Sequence, residues 1–103
     1  MQMINGKGKV FHDNQLLCEG KYQINRDAHP DRQTTLSGTF EIAGENPSRL
    51  VQIFETLKPT PDLVLEIETG RRLDVTLTVE NYDFPSGMAR FKILFIPGKN
   101  SDL

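Results

Sequence analysis

The sequence predicts a mainly β domain, a small antiparallel six-stranded barrel or sandwich of order βββ-α-βββ with one short helix near residues 47–57. Three observations lead there. Apolar and polar residues alternate with period two in five separate stretches, the signature of a strand with one dry face. One stretch between the third and fourth strands switches to a helical period. The chain has 103 residues, of which 37% are apolar, which suits residues 1–103 as a single domain around a single core.

A short, weakly patterned strand is expected from Lys7 to His12. Gly6-Lys7-Gly8-Lys9, just before and within it, lacks the Gly-x-x-x-x-Gly-Lys-Ser/Thr spacing and the following helix of a phosphate loop, and reads as a solvated N-terminal segment. The second strand runs from Gln15 to Asn25, with Leu16, Cys18, Gly20, Tyr22 and Ile24 on its dry side. The third sets Leu36, Gly38, Phe40 and Ile42 against Ser37, Thr39 and Glu41. The segment Asn25 to Gln33 is expected to connect the two, and a loop centred near His29 would set Gly20 opposite Gly38. Two glycines on the inward side let a sheet coil or make room for Phe54; the functional alternative is the floor of a small-ligand pocket.

Leu50, Ile53, Phe54 and Leu57 fall at i, i+3, i+4 and i+7, one stripe of a helix. Asn46 suits its N-cap, Pro47 its first turn, and Pro59 and Pro61 close it. The fourth strand carries Leu63, Leu65 and Ile67; the fifth, Leu73, Val75, Leu77 and Val79; the sixth, Ala89, Phe91, Ile93 and Phe95. A three-residue loop Thr69-Gly70-Arg71 between the fourth and fifth keeps dry face on dry face, pairs Ile67 with Leu73 and sets Glu68 opposite Arg72. Asn81 to Gly87 reads as the last connection.

Twelve basic and fourteen acidic residues give a formal net charge of −2, against a chain-wide electrostatic footprint for nucleic acid. No stretch approaches the length of a membrane span, and Met1 to Val10 has no secretory leader pattern, so a cytoplasmic location is expected and no membrane contact. The single cysteine, Cys18, forms no internal disulfide and is expected to be a buried, inert thiol. No catalytic set emerges: His12 and His29 are far apart in sequence, and Glu66, Glu68, Asp74 and Glu80 lie on wet faces with Arg90 and Lys92 as available partners. No enzymatic activity, cofactor or metal is expected.

Two resemblances can be placed on residues. His29-Pro30-Asp31 is similar to the tripeptide through which J-domain co-chaperones engage their chaperone partner, but strands flank it here in place of two long helices, so a hairpin loop is expected. The six-strand plan resembles that of PilZ domains, which bind cyclic dinucleotides. Their Arg-x-x-x-Arg spacing does not occur in this chain, and Asp83-Phe84-Pro85-Ser86-Gly87 misplaces the serine and glycine of their second motif, so the resemblance implies architecture only.

What remains points to a binding or assembly module, self-associating or engaging another protein. Tyr82 and Phe84 place aromatics in an expected loop, either as an interface or folded back as a lid on the barrel end. Leu94 and Ile96 make the last strand apolar on both faces, to be covered by a partner or by Met1 to Ile4. Arg71 and Arg72 at a hairpin tip are candidate contacts for an anion. The alternative is a barrel binding a small ligand near Gly20 and Gly38; a weaker one is a nucleic-acid-binding barrel with Lys21, Arg71, Arg72, Arg90 and Lys92 on one face.

Overall fold

The computed structural model describes residues 2–30, 32–58 and 60–96, without the side chains of residues 28, 29 and 32–34. The strands are β1 (Gln2–His12), β2 (Gln15–His29), β3 (Arg32–Ile42), β4 (Leu63–Glu66), β5 (Arg72–Asp83) and β6 (Met88–Phe95), with helix α1 (Pro47–Thr56) between β3 and β4. They close into an antiparallel barrel in the order β1-β2-β3-β6-β5-β4. The expected class and element order are those observed.

Inward residues of every strand meet in one core. Val10, Ile24, Phe40, Ile42, Leu63, Leu65, Leu73, Val75, Phe91 and Ile93 are essentially buried there. Helix α1 plugs one end, inserting Leu50 and Ile53. Full burial of each contributes about 1.5–3 kcal/mol. Its start is fixed as the sequence implies: Asn46 is the N-cap, its side chain accepts from the Ser48 N–H at 2.8 Å, and Pro47 takes the first turn.

β1 begins earlier than its pattern suggests. Gly6 to Lys9 is no loose arm but is paired along β2, with Gly8 opposite Gly20. A Cβ at Gly8 would stand 3.0 Å from Tyr22 Cδ1 and 3.1 Å from Leu65 Cδ1, so a side chain there would press on both neighbours. The β1–β2 turn is Asp13-Asn14, both at positive φ, the geometry of a tight hairpin turn.

Bulges account for two departures from simple alternation. In β2, Val10 pairs with Cys18 and Phe11 with Leu16, leaving Leu17 as the extra residue. Leu17 is therefore buried and Leu16, expected inside, is 48% exposed. The Arg49 guanidinium from α1 donates to the Leu17 carbonyl, so the helix clamps the bulge. Arg49→Ala should cost about 1.5–3 kcal/mol, the worth of a charge-assisted hydrogen bond, measured by urea denaturation. In β5 the pairing passes from Val79–Phe91 to Asn81–Arg90 around Glu80. This bulge prolongs β5 through Asn81-Tyr82-Asp83, residues expected in a loop, and turns Tyr82 to the same face as Ala89.

Two hairpins also differ in register. β2 and β3 continue to His29 and Arg32, so the 25–33 connection is mostly strand; Asp31 lies outside the described residues. Gly38 consequently pairs with Ile24, not with Gly20. Gly20 instead accommodates β3, because a Cβ there would meet Glu41 O at 2.3 Å and the tip of the Phe40 ring at 2.9 Å. Phe40, rather than Phe54, is the aromatic it makes room for. The β4–β5 loop does have three residues, but they are Glu68-Thr69-Gly70, one position earlier than expected. Gly70 N–H donates to Ile67 O at 2.9 Å, Gly70 has φ +88°, and Ile67 N–H donates to Arg71 O at 3.0 Å. That is a turn closed by a left-handed glycine, which moves the register by two: Leu65 pairs with Leu73 and Glu66 with Arg72.

Candidate functional site at the open end of the barrel

Among the described residues, nothing plugs the end opposite α1. β4 is only four residues long and pairs with β1 at Lys9 to Phe11 alone, while β6 meets β3 only at Gly38 to Ile42. The first half of β1, the second half of β2 and the start of β3 therefore project beyond the closed barrel as a three-stranded flap. The molecule measures 46 × 24 × 24 Å, and this overhang lies along its length.

Between the flap and the β4–β5 turn lies a cavity of about 620 Å³, lined by Gln2, Ile4, Ile24, Arg26, Ile67, Thr69, Gly70 and Arg71. Its floor is apolar: Ile24 and Ile67 are buried and Ile4 partly so. Its polar groups are two arginines, a glutamine amide and a threonine. Arg26 follows Ile24 by two and pairs with Gln2 on one side and Leu36 on the other, so the strand period directs it inward. Its Nη1 donates to Gln2 Oε1 at 3.3 Å, while its Nε–H is covered and has no hydrogen-bond partner among the described residues. Arg71 arrives from across the mouth because the observed register puts it on the same face as Leu73 and Val75.

The predicted anion contacts are thus separated. Arg71 faces the mouth, whereas Arg72 lies on the outer face, its Nε 3.1 Å from Glu66 Oε2 and its guanidinium 5.1 Å from the centre of the Phe11 ring. Glu68, the expected partner of Arg72, instead accepts from the Lys7 N–H at 3.0 Å, and its own N–H donates to the Tyr22 hydroxyl at 3.3 Å. Arg26, Gln2 and Ile4 lie beyond the strands that the residue pattern marks, β2 as far as Asn25 and β1 from Lys7. The continuing parity from Ile24 to Arg26 was the available signal.

Tyr82 and Phe84 stand at the plugged end. The Phe54 ring makes edge contacts with both, at 5.5 and 5.4 Å between centroids, and with Phe91 at 6.0 Å. The two aromatics thus cover the helix end, Phe84 partly buried and Tyr82 53% exposed. Leu94 is 45% exposed on the outer face opposite Thr76, and Ile96 is partly buried with its N–H donating to Asp74 O at 3.0 Å. Of the expected cover Met1 to Ile4, Met1 lies outside the described residues, and Gln2 to Ile4 are held against Arg26 to Ile24 in the ladder, away from Leu94.

The other sequence candidates stay apart. An open groove of about 610 Å³ runs over Gly8 and Gly20, flanked by Lys7, Lys9 and Lys21 and by Glu19, Glu41, Glu66 and Glu68. Lys21, Glu41 and Arg90 form one cross-strand row, with Lys92 on the same outer face. Arg71 and Arg72 lie elsewhere, so the five cations do not converge. Among the described residues no group of three or more histidine, cysteine or acidic side chains could hold a metal ion. Cys18 is buried, and desolvation pushes its thiol pKa up from 9.0 to about 12, with Arg49 opposing the shift. No helix among the described residues is long and apolar enough to cross a membrane.

Comparison with family models, with curated proteins and with solved structures finds no match.

Proposed function

We propose that the protein is a ligand-binding module whose barrel mouth takes a small amphipathic anion, a carboxylate on an apolar tail. The observation that carries this reading is Arg26: a guanidinium lining an isoleucine-floored cavity, its Nη1 donating to the neighbouring Gln2 amide oxygen. A second guanidinium, Arg71, faces the same space. Three isoleucines below the cations favour a ligand with an apolar body over a bare inorganic ion.

Isothermal titration with octanoate tests this. Saturable binding is expected, with octanol and octylamine bound at least roughly tenfold more weakly, as the loss of a charge-assisted hydrogen bond implies. Arg26→Gln should weaken octanoate by a similar factor and leave the melting temperature nearly unchanged. Equal affinity for octanoate and octanol, or no saturable binding of either, would overturn the reading.

A further inference from the structure

The mouth has a second property that an isolated fatty anion would leave unused: it is bordered by an open strand edge. Backbone groups along a strand alternate between its two sides. Lys7 donates its N–H toward the β4 side, to Glu68 at 3.0 Å. Met3 and Asn5, at the same parity, therefore also present their N–H and C=O away from β2. The β1–β4 pairing reaches only from Phe11 back to Lys9, so no strand lies beside them among the described residues. This edge carries none of the usual guards against strand addition: Gln2 to Gly6 contains no charge and no proline, and Met3 is exposed.

Resting on the proposed reading of the mouth, we infer that its ligand is the C-terminal segment of a peptide, added as a short strand to the edge of β1 at Met3 and Asn5, with its terminal carboxylate on Arg26 and Arg71. Three placements agree. A peptide running antiparallel to β1 ends at the level of Gln2, which is the level of Arg26. Its inward side chain meets Ile4, Ile24 and Ile67, so an apolar residue at or next to the C terminus is selected. Glu68, bonded across to Lys7, closes the edge beyond Gly6, so only the last few residues of the partner are gripped. Backbone pairing supplies affinity independent of sequence, while the isoleucine floor and the two guanidiniums supply the preference for an apolar free terminus.

Fluorescence polarisation with a labelled peptide ending in Thr-Val-Thr-Val tests this on the intact chain. The free acid should bind roughly tenfold or more tightly than the C-terminal amide, and more tightly than octanoate competes. Methylating the peptide nitrogens that face β1 should abolish binding, while methylating the alternate ones should not, and the amide resonances of Met3 and Asn5 should shift. If octanoate binds and the peptide does not, or if N-methylation at the two sets has equal effect, strand addition is wrong and the small-anion reading stands. If neither octanoate nor the peptide binds, both fall.

Discussion

Replacing Gly87 by alanine is expected to lower stability by roughly 2–5 kcal/mol, the largest effect of any single methyl group added at a described glycine. Two costs add. Gly87 has φ +70°, where an L side chain costs about 1–2 kcal/mol. A Cβ there would also fall 1.9 Å from Glu45 O and 2.5 Å from Glu45 N, backbone atoms that cannot rotate aside, and overpacking of this kind costs about 1–3 kcal/mol. Glu45 N–H donates to Gly87 O at 3.0 Å, so pushing the two segments apart also breaks the tie between the β5–β6 turn and the residue before the helix cap. For a domain of this size the melting temperature should fall by on the order of 10–20 °C, read by circular dichroism. Gly70→Ala is the control, because Gly70 shares the positive φ but has nothing within 4 Å of its Cβ position. It should lose only about 1–2 kcal/mol; equal losses at the two sites would show that the Glu45 contact contributes nothing.

The second large effect is a loss of stability in alkali that belongs to Cys18. Burial keeps this thiol neutral in the folded protein up to about pH 12, whereas its ordinary value is 9.0. Below pH 9 both states hold the proton and the group adds no pH dependence. Between about pH 9 and 12 the unfolded chain releases the proton and the folded chain does not, so the unfolded state binds fewer protons and stability falls as pH rises. The slope approaches about 1.4 kcal/mol per pH unit within that window. Lysines and tyrosines also titrate there, so the informative quantity is the difference between the wild type and Cys18→Ala in urea denaturation at each pH. That difference should be flat below pH 9 and fall above it. A constant difference from pH 8 to 11 would mean that the thiol ionises as readily in the fold as outside it.

Much of the barrel could be read from residue spacing because its strands are wet outside and dry inside, which writes period two directly into the chain. The helix was equally legible, since Asn46-Pro47 and the Leu50, Ile53, Phe54 and Leu57 stripe are local signals that tertiary contacts reinforce. What escaped was register. Leu16 and Leu17 are both apolar, so nothing in the pattern reveals which one a bulge turns outward. Glu66 and Glu68 can each offer a carboxylate to Arg72, so pairing chemistry does not choose between two hairpins that keep the same faces together. The mouth depended on those choices. Arg26 became visible as an inward residue only once β2 ran past Asn25, and Arg71 only once the turn had its observed position.

The Glu68-Thr69-Gly70 turn therefore governs more than chain reversal. With the turn one residue later, Leu73 would sit opposite Ile67 and Arg71 would belong to the loop itself, leaving the core composition untouched and one cation fewer lining the cavity. Sliding the three-residue turn by one position at unchanged length can thus change the charge of the mouth without replacing any side chain in it. Such a turn gives evolution, or an engineer, a means to alter what the barrel accepts by moving the left-handed glycine that sets the turn, at a tip far from the core.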